Sequence, residues 1–102
     1  MPLHELQSQA DEWIRTHTPG YFTPLMMMAR LTEELGELSR AVSHKHGDKR
    51  PKPGEDPGDV GDELGDLLFV LVCMANAEGI DLDGAWTGLM KKLHERDAAR
   101  WK

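Results

Sequence analysis

An all-α fold follows from three features of this 102-residue chain. Apolar residues recur at three- and four-residue intervals over long stretches, which is the spacing of one helix face. Capping residues, prolines and glycines punctuate those stretches where helices would start and stop. No alternating apolar–polar run of strand length interrupts them. Residues 1–102 read as a single domain, a four-helix bundle protomer whose modest core would be completed by oligomerisation.

The first helix is expected from Leu3 to His17, with Leu6, Ala10, Trp13 and Ile14 near helical spacing, and Thr18-Pro19-Gly20 ends it. Tyr21-Phe22 bridges to Thr23, an N-cap followed by Pro24 at the first helical position. The second helix then runs to about His46, carrying a three-four stripe of Leu31, Leu35, Leu38 and Val42 suited to a bundle. From Gly47 to Gly58 the chain is rich in Pro, Gly and charge and reads as a loop. Asp59 caps a third helix, Val60 to Glu78, which Gly79 terminates. Asp81 caps a fourth, from Leu82 to Arg96 or beyond, with Ala85, Leu89 and Leu93 on one face. Within the third helix, Leu67 to Cys73 is apolar at every position. A helix apolar all round is enclosed on all sides, and a chain this small would need a second subunit to enclose it, as a homodimer or homotetramer.

Composition excludes several classes. A net charge of −6 argues against a nucleic-acid binder. One cysteine, Cys73, rules out a disulfide framework and any CxxC knuckle; set in an apolar run, it reads as a buried, inert thiol. No signal peptide is visible at the N-terminus. The longest apolar run is too short to span a bilayer. A cytoplasmic protein without membrane or nucleic-acid partners is expected.

Two acidic runs carry the chemistry: Glu33-Glu34-Leu35-Gly36-Glu37-Leu38 and Asp62-Glu63-Leu64-Gly65-Asp66-Leu67. Each holds carboxylates three residues apart, on adjacent turns of one helix face. Asp59, Asp62 and Glu63 complement the start of a helix dipole, and a solvated acidic face is the bland reading of either run alone. The dipole explains neither the mid-helix first run nor Asp66, two turns in. At roughly 100° per residue, Glu34 lies on the shoulder of the leucine stripe, Glu37 further round, and Glu33 nearly opposite. The second and third helices should pack antiparallel and bring the two acidic faces together. Four converging carboxylates repel unless a hard divalent cation is bound through oxygen. The expectation is a Mg2+ site shared by two helices, with Mn2+ as its substitute.

Glu34-Leu35-Gly36-Glu37 followed after a loop by Glu63-Leu64-Gly65-Asp66 resembles the ExxE…ExxD signature of the MazG-like nucleotide pyrophosphohydrolases. Tyr21-Phe22-Thr23-Pro24, Met28 to Glu34, Leu68 to Val72 and Lys92 to Asp97 are similar to that family too, so the resemblance runs from about Leu6 to Trp101. It implies hydrolysis of a nucleoside triphosphate to the monophosphate and pyrophosphate. It further implies Glu34, Glu37, Glu63 and Asp66 as Mg2+ ligands. Glu33 would orient the attacking water or support a ligand.

Further candidates bind substrate. Lys92 and Arg96, an i,i+4 pair, match the family's basic C-terminal positions. Arg30, one turn before Glu34, reaches a phosphate or pairs with that acid. Lys45, Lys49, Arg50 and Lys52 either close over phosphates or form an ordinary solvated loop. Asn76 is offered as a base reader, although mid-helix asparagine is unfavourable without a side-chain partner. Trp13, Tyr21 and Phe22 stack on a base or simply pack. The five histidines read as structural or surface residues, and Met26-Met27-Met28 as adaptable core. Two rivals remain. One is a non-catalytic helical interaction module with solvated acids. The other is a di-iron carboxylate protein, disfavoured because neither run has a histidine three residues after a glutamate.

Overall fold

Cap chemistry sets the helix boundaries. The computed structural model describes residues 2–47 and 50–101, with side chains described as far as Arg96. It contains α1 (Leu3–His17), α2 (Pro24–His46), α3 (Val60–Glu78) and α4 (Leu82–Trp101), and no strand among the described residues. The Thr23 hydroxyl accepts from the Met26 amide at 3.3 Å, with Pro24 opening α2. The Asp59 carboxylate accepts from the Asp62 amide at 2.9 Å and starts α3. The Asp81 carboxylate accepts from the Asp83 amide at 3.2 Å and starts α4. Gly79 ends α3 in the left-handed region, φ 68°, where glycine alone carries no side-chain penalty.

The expected antiparallel pairing of α2 and α3 forms the main contact, and α1 lies across α3 and beside α4. The loop returns along α2: a Cβ at Gly58 would meet the Ala41 Cβ at 3.3 Å, and the residue's φ of +78° also favours glycine. His44 is buried and its Nδ1 lies 3.2 Å from the Pro57 carbonyl. Late α2 therefore faces early α3, which puts Glu34 opposite Glu63 and Asp66.

The enclosed core is small. Ala10, Met27, Val72 and Cys73 form its centre, with Leu6, Ile14, Tyr21, Met74 and Leu82 packed around them. Of the three consecutive methionines, Met27 is buried whereas Met26 and Met28 are half exposed. Burial raises the Cys73 thiol above its ordinary pKa and so leaves it protonated and inert. Within one protomer α3 is not enclosed all round, as its apolar run leads one to expect. Val70, Val72, Cys73 and Ala75 are buried, but Leu64, Leu68, Phe69 and Leu71 face outward. Leu35 on α2 and Trp86 and Leu89 on α4 are similarly exposed. The protomer is open: its radius of gyration is 17.2 Å, against about 13 Å for a compact domain of this length.

Candidate metal centre

The two acidic runs meet where α2 crosses α3. One carboxylate oxygen each from Glu34, Glu63 and Asp66 lies within 4.8 Å of the other two. Glu34 and Glu63 are half-buried and Asp66 is exposed, which leaves the cluster open on one side. Helix geometry explains the selection. Glu34 is rotated toward the α2–α3 interface and its side chain is 13% exposed, whereas that of Glu33 is 67% exposed. Glu63 and Asp66 are one turn apart on α3 and share a face.

Arg30 connects the first run. Its guanidinium lies 3.2 Å from the Glu34 carboxylate and 3.7 Å from that of Glu33. Glu37 stands outside the trio and is paired with Arg40 at 2.9 Å. Neither Glu63 nor Asp66 forms an ion pair with a protein cation among the described residues. Partial burial raises the Glu63 carboxyl pKa first, and the negative charges of Asp66, Glu37 and Glu34 push it further, with Arg40 opposing. An all-oxygen, anionic donor set drawn from two helices suits a hard divalent cation such as Mg2+ or Mn2+. No histidine or cysteine belongs to the cluster, so a softer ion has no preferred ligand there.

The remaining candidates fall at different places. Lys92 and Arg96 are exposed on α4, the helix beside α1, and neither pairs with the trio within the protomer. Lys49 lies outside the described residues. Arg50 and Lys52 line a cavity with Arg40, His44 and Glu55. Asn76 has the partner that a mid-helix asparagine requires. Its amide donates to the Gln7 carbonyl at 2.9 Å and the Tyr21 hydroxyl at 3.1 Å, and accepts from the Gln7 amide at 3.0 Å. Tyr21 donates onward to Asp11 at 2.6 Å.

Sequence reasoning did not single out Arg40 or this Gln7–Asn76–Tyr21–Asp11 network. Arg40 was visible as the residue one turn after Glu37. The network joins residues up to 69 positions apart, which no local pattern reveals. The structure also shows a largely apolar cavity of about 650 Å3 between α1, the α1–α2 bridge and α3. Trp13, Tyr21, Phe22 and Phe69 line it, and Arg30 stands on its rim. Trp13 meets Phe69 edge-on, with ring centroids 5.9 Å apart.

Known proteins resemble this chain over most of its length. Residues 22–101 match the MazG nucleotide pyrophosphohydrolase domain. The chain is 48% identical over 99 residues to YpjD of Bacillus subtilis (strain 168), covering 97% of this chain and 89% of YpjD. The crystal structure of YpjD from Bacillus subtilis superposes with a TM-score of 0.84 at 45% identity, covering 95% of this chain and 97% of that one. That of the Bacillus-conserved MazG protein, a nucleotide pyrophosphohydrolase, gives 0.77 at 44% identity, covering 91% and 90%.

Proposed function

Because the chain belongs to the MazG nucleotide pyrophosphohydrolase family, we propose that it is a Mg2+-dependent pyrophosphohydrolase of nucleoside triphosphates, ribose or deoxyribose. Water attacks the α-phosphorus, the bond from that phosphorus to the bridging oxygen of the β-phosphate breaks, and the products are a nucleoside monophosphate and pyrophosphate. The observation that carries the reading is the convergence of Glu34, Glu63 and Asp66 across two helices, with no protein cation among the described residues paired to the α3 acids.

Each residue's part follows from its place. Glu34, Glu63 and Asp66 hold the divalent ion, and Glu37, one turn along α2, turns inward to join them. Bound there, Mg2+ neutralises phosphate charge and lowers the pKa of a coordinated water. Arg30 fixes the Glu34 carboxylate and lies between the acids and the aromatic cavity. Glu33 acts through that same guanidinium. Trp13, Phe22 and Phe69 give the base a stacking surface, an interaction that tolerates different bases. Such a surface suits housecleaning of non-standard or excess nucleotides in the cytoplasm. No described helix is long and apolar enough to cross a membrane.

A second copy of the chain completes the protomer as a homodimer or homotetramer, covering Leu64, Leu68 and Leu71. Lys92 and Arg96, which pair with no member of their own trio, then serve the triphosphate from a neighbouring α4. The exposed apolar residues also favour the alternative, a non-catalytic interaction module. One assay decides between them: incubation with a panel of canonical and modified triphosphates plus Mg2+. Pyrophosphate should be released, and Asp66→Ala or Glu37→Ala should abolish release while preserving helical content. Orthophosphate in its place would overturn the reaction assignment.

A further inference from the structure

A second cavity, of about 560 Å3, opens between the later part of α2 and the loop that follows it. Among the described residues, Arg40, Arg50 and Lys52 line it together with Ser39 and Ser43, and Glu55 is the one carboxylate of the lining. Among the described residues, three cations against two anions, with Glu37 counted as a partner of Arg40, leave a local excess of positive charge in a chain whose net charge is −6. Guanidinium, ammonium and hydroxyl groups all donate hydrogen bonds. The lining is therefore complementary to an oxygen-rich anion.

The wall is fastened in place. Arg40 Nη1 donates to the Asp56 carbonyl at 3.1 Å and lies 3.7 Å from Glu55, and His44 holds the Pro57 carbonyl. Arg40 Nη2 also donates to Glu37 at 2.9 Å. One guanidinium thus faces the cavity and reaches the acidic run beside the trio.

We propose that this cavity, on the side of α2 away from Glu34, binds free pyrophosphate, the second product of the proposed reaction, and that Arg40 is shared between that anion and Glu37. The identity of the anion rests on the proposed function. Three cations spread over a helix and a loop match a chain of linked phosphates better than a single one. An anion that engages Arg40 weakens its hold on Glu37 and leaves that carboxylate available to the trio. Anion binding and completion of the metal centre are then coupled.

The test is calorimetric titration of the metal-free protein in EDTA with sodium pyrophosphate, and separately with orthophosphate. Without metal the acidic trio repels either anion, and the loop variants separate binding in the cavity from binding at Lys92 and Arg96. Pyrophosphate should bind, and more tightly than orthophosphate. Replacing two cations, Arg50→Ala with Lys52→Ala, should weaken it by roughly tenfold or more. The single Lys52→Gln variant, at an exposed loop position, should show a smaller loss and serves if the double variant fails to fold. Absence of pyrophosphate binding to the native chain, or undiminished binding in the foldable variant, overturns the proposal. Because no turnover or metal is involved, a chain that binds pyrophosphate here but releases none from triphosphates would refute the proposed activity alone.

Discussion

Replacing Asn76 by alanine separates two roles for a residue that sequence reasoning offered as a base reader. In the structure its amide makes three hydrogen bonds, two with Gln7 and one with Tyr21. Each such bond contributes about 1 kcal/mol net, so the three together are worth about 3 kcal/mol. The partners are not stranded by the substitution. The Gln7 amide keeps the Ile80 carbonyl at 2.8 Å and the Tyr21 hydroxyl keeps Asp11, so no further burial penalty is added. Alanine also gains up to about 0.7 kcal/mol of helix propensity in mid-helix. The expected loss is therefore about 2 kcal/mol. In a domain of this size that lowers Tm by roughly 8–16 °C. Thermal unfolding followed by circular dichroism at fixed protein concentration measures it, alongside kcat/KM for several triphosphates. A structural role predicts the Tm drop with activity lost evenly across bases below the melting range. An unchanged Tm with a base-dependent change in kcat/KM would refute this reasoning and restore Asn76 to the substrate.

Further outcomes follow from the same structure. Mg2+ should stabilise the native chain by about 2.7 kcal/mol at a hundredfold excess over its Kd. Asp66→Asn should remove that increment while raising the metal-free Tm, because it deletes a charge that disfavours ionised Glu63; a metal-free Tm below wild type would count against the repulsion argument. In acid, hydrogen bonds from Tyr21 and Arg15 hold Asp11 below its ordinary pKa. That contribution is present above the unfolded value and is lost as pH falls through the folded one. In alkali, burial and Asp11 push Tyr21 up from 10.0 to about 12. Its contribution is complete below pH 10.0 and lost as pH rises through about 12; Tyr21→Phe should flatten that alkaline limb in a pH–Tm series. Finally, Leu68→Glu, at a position 44% exposed in the protomer, should shift the mass seen by light scattering to a smaller species, and an unchanged mass would place the interface elsewhere.

The fold was legible because its signals are local. Thr23-Pro24, Asp59, Gly79 and Asp81 each fix a helix end through bonds spanning a few residues, and all four act where the sequence placed them. The pairing of α2 with α3 was legible because one loop joins them and both carry acids on an apolar shoulder. The aromatic cavity, the Asn76 network and the Arg40 contacts with the loop were not. Each depends on the relative rotation of helices and on chain returning from a distance, which periodicity does not encode. The apolar run of α3 signalled a need for burial, yet periodicity could not say which of its residues the protomer itself would cover.

Within the acidic site, the distribution of counterions distinguishes the two helices. Arg30 lies against Glu33 and Glu34, and Arg40 against Glu37, so every acid of the first run has a guanidinium partner. Glu63 and Asp66 have none among the described residues, and partial burial together with the neighbouring carboxylates raises the Glu63 pKa. A merely solvated acidic face would need neither feature, since exposed carboxylates are screened by water and salt. The arginines instead hold the α2 acids in place at little net charge, while the α3 pair supplies the uncompensated charge. In the proposed metal centre, entry of a divalent ion would relieve repulsion centred on Glu63 and Asp66, with Glu34 already within 4.8 Å of both. On the proposed ligand set, Glu37 is the member whose position would have to change, and Arg40 holds it where it is at 2.9 Å.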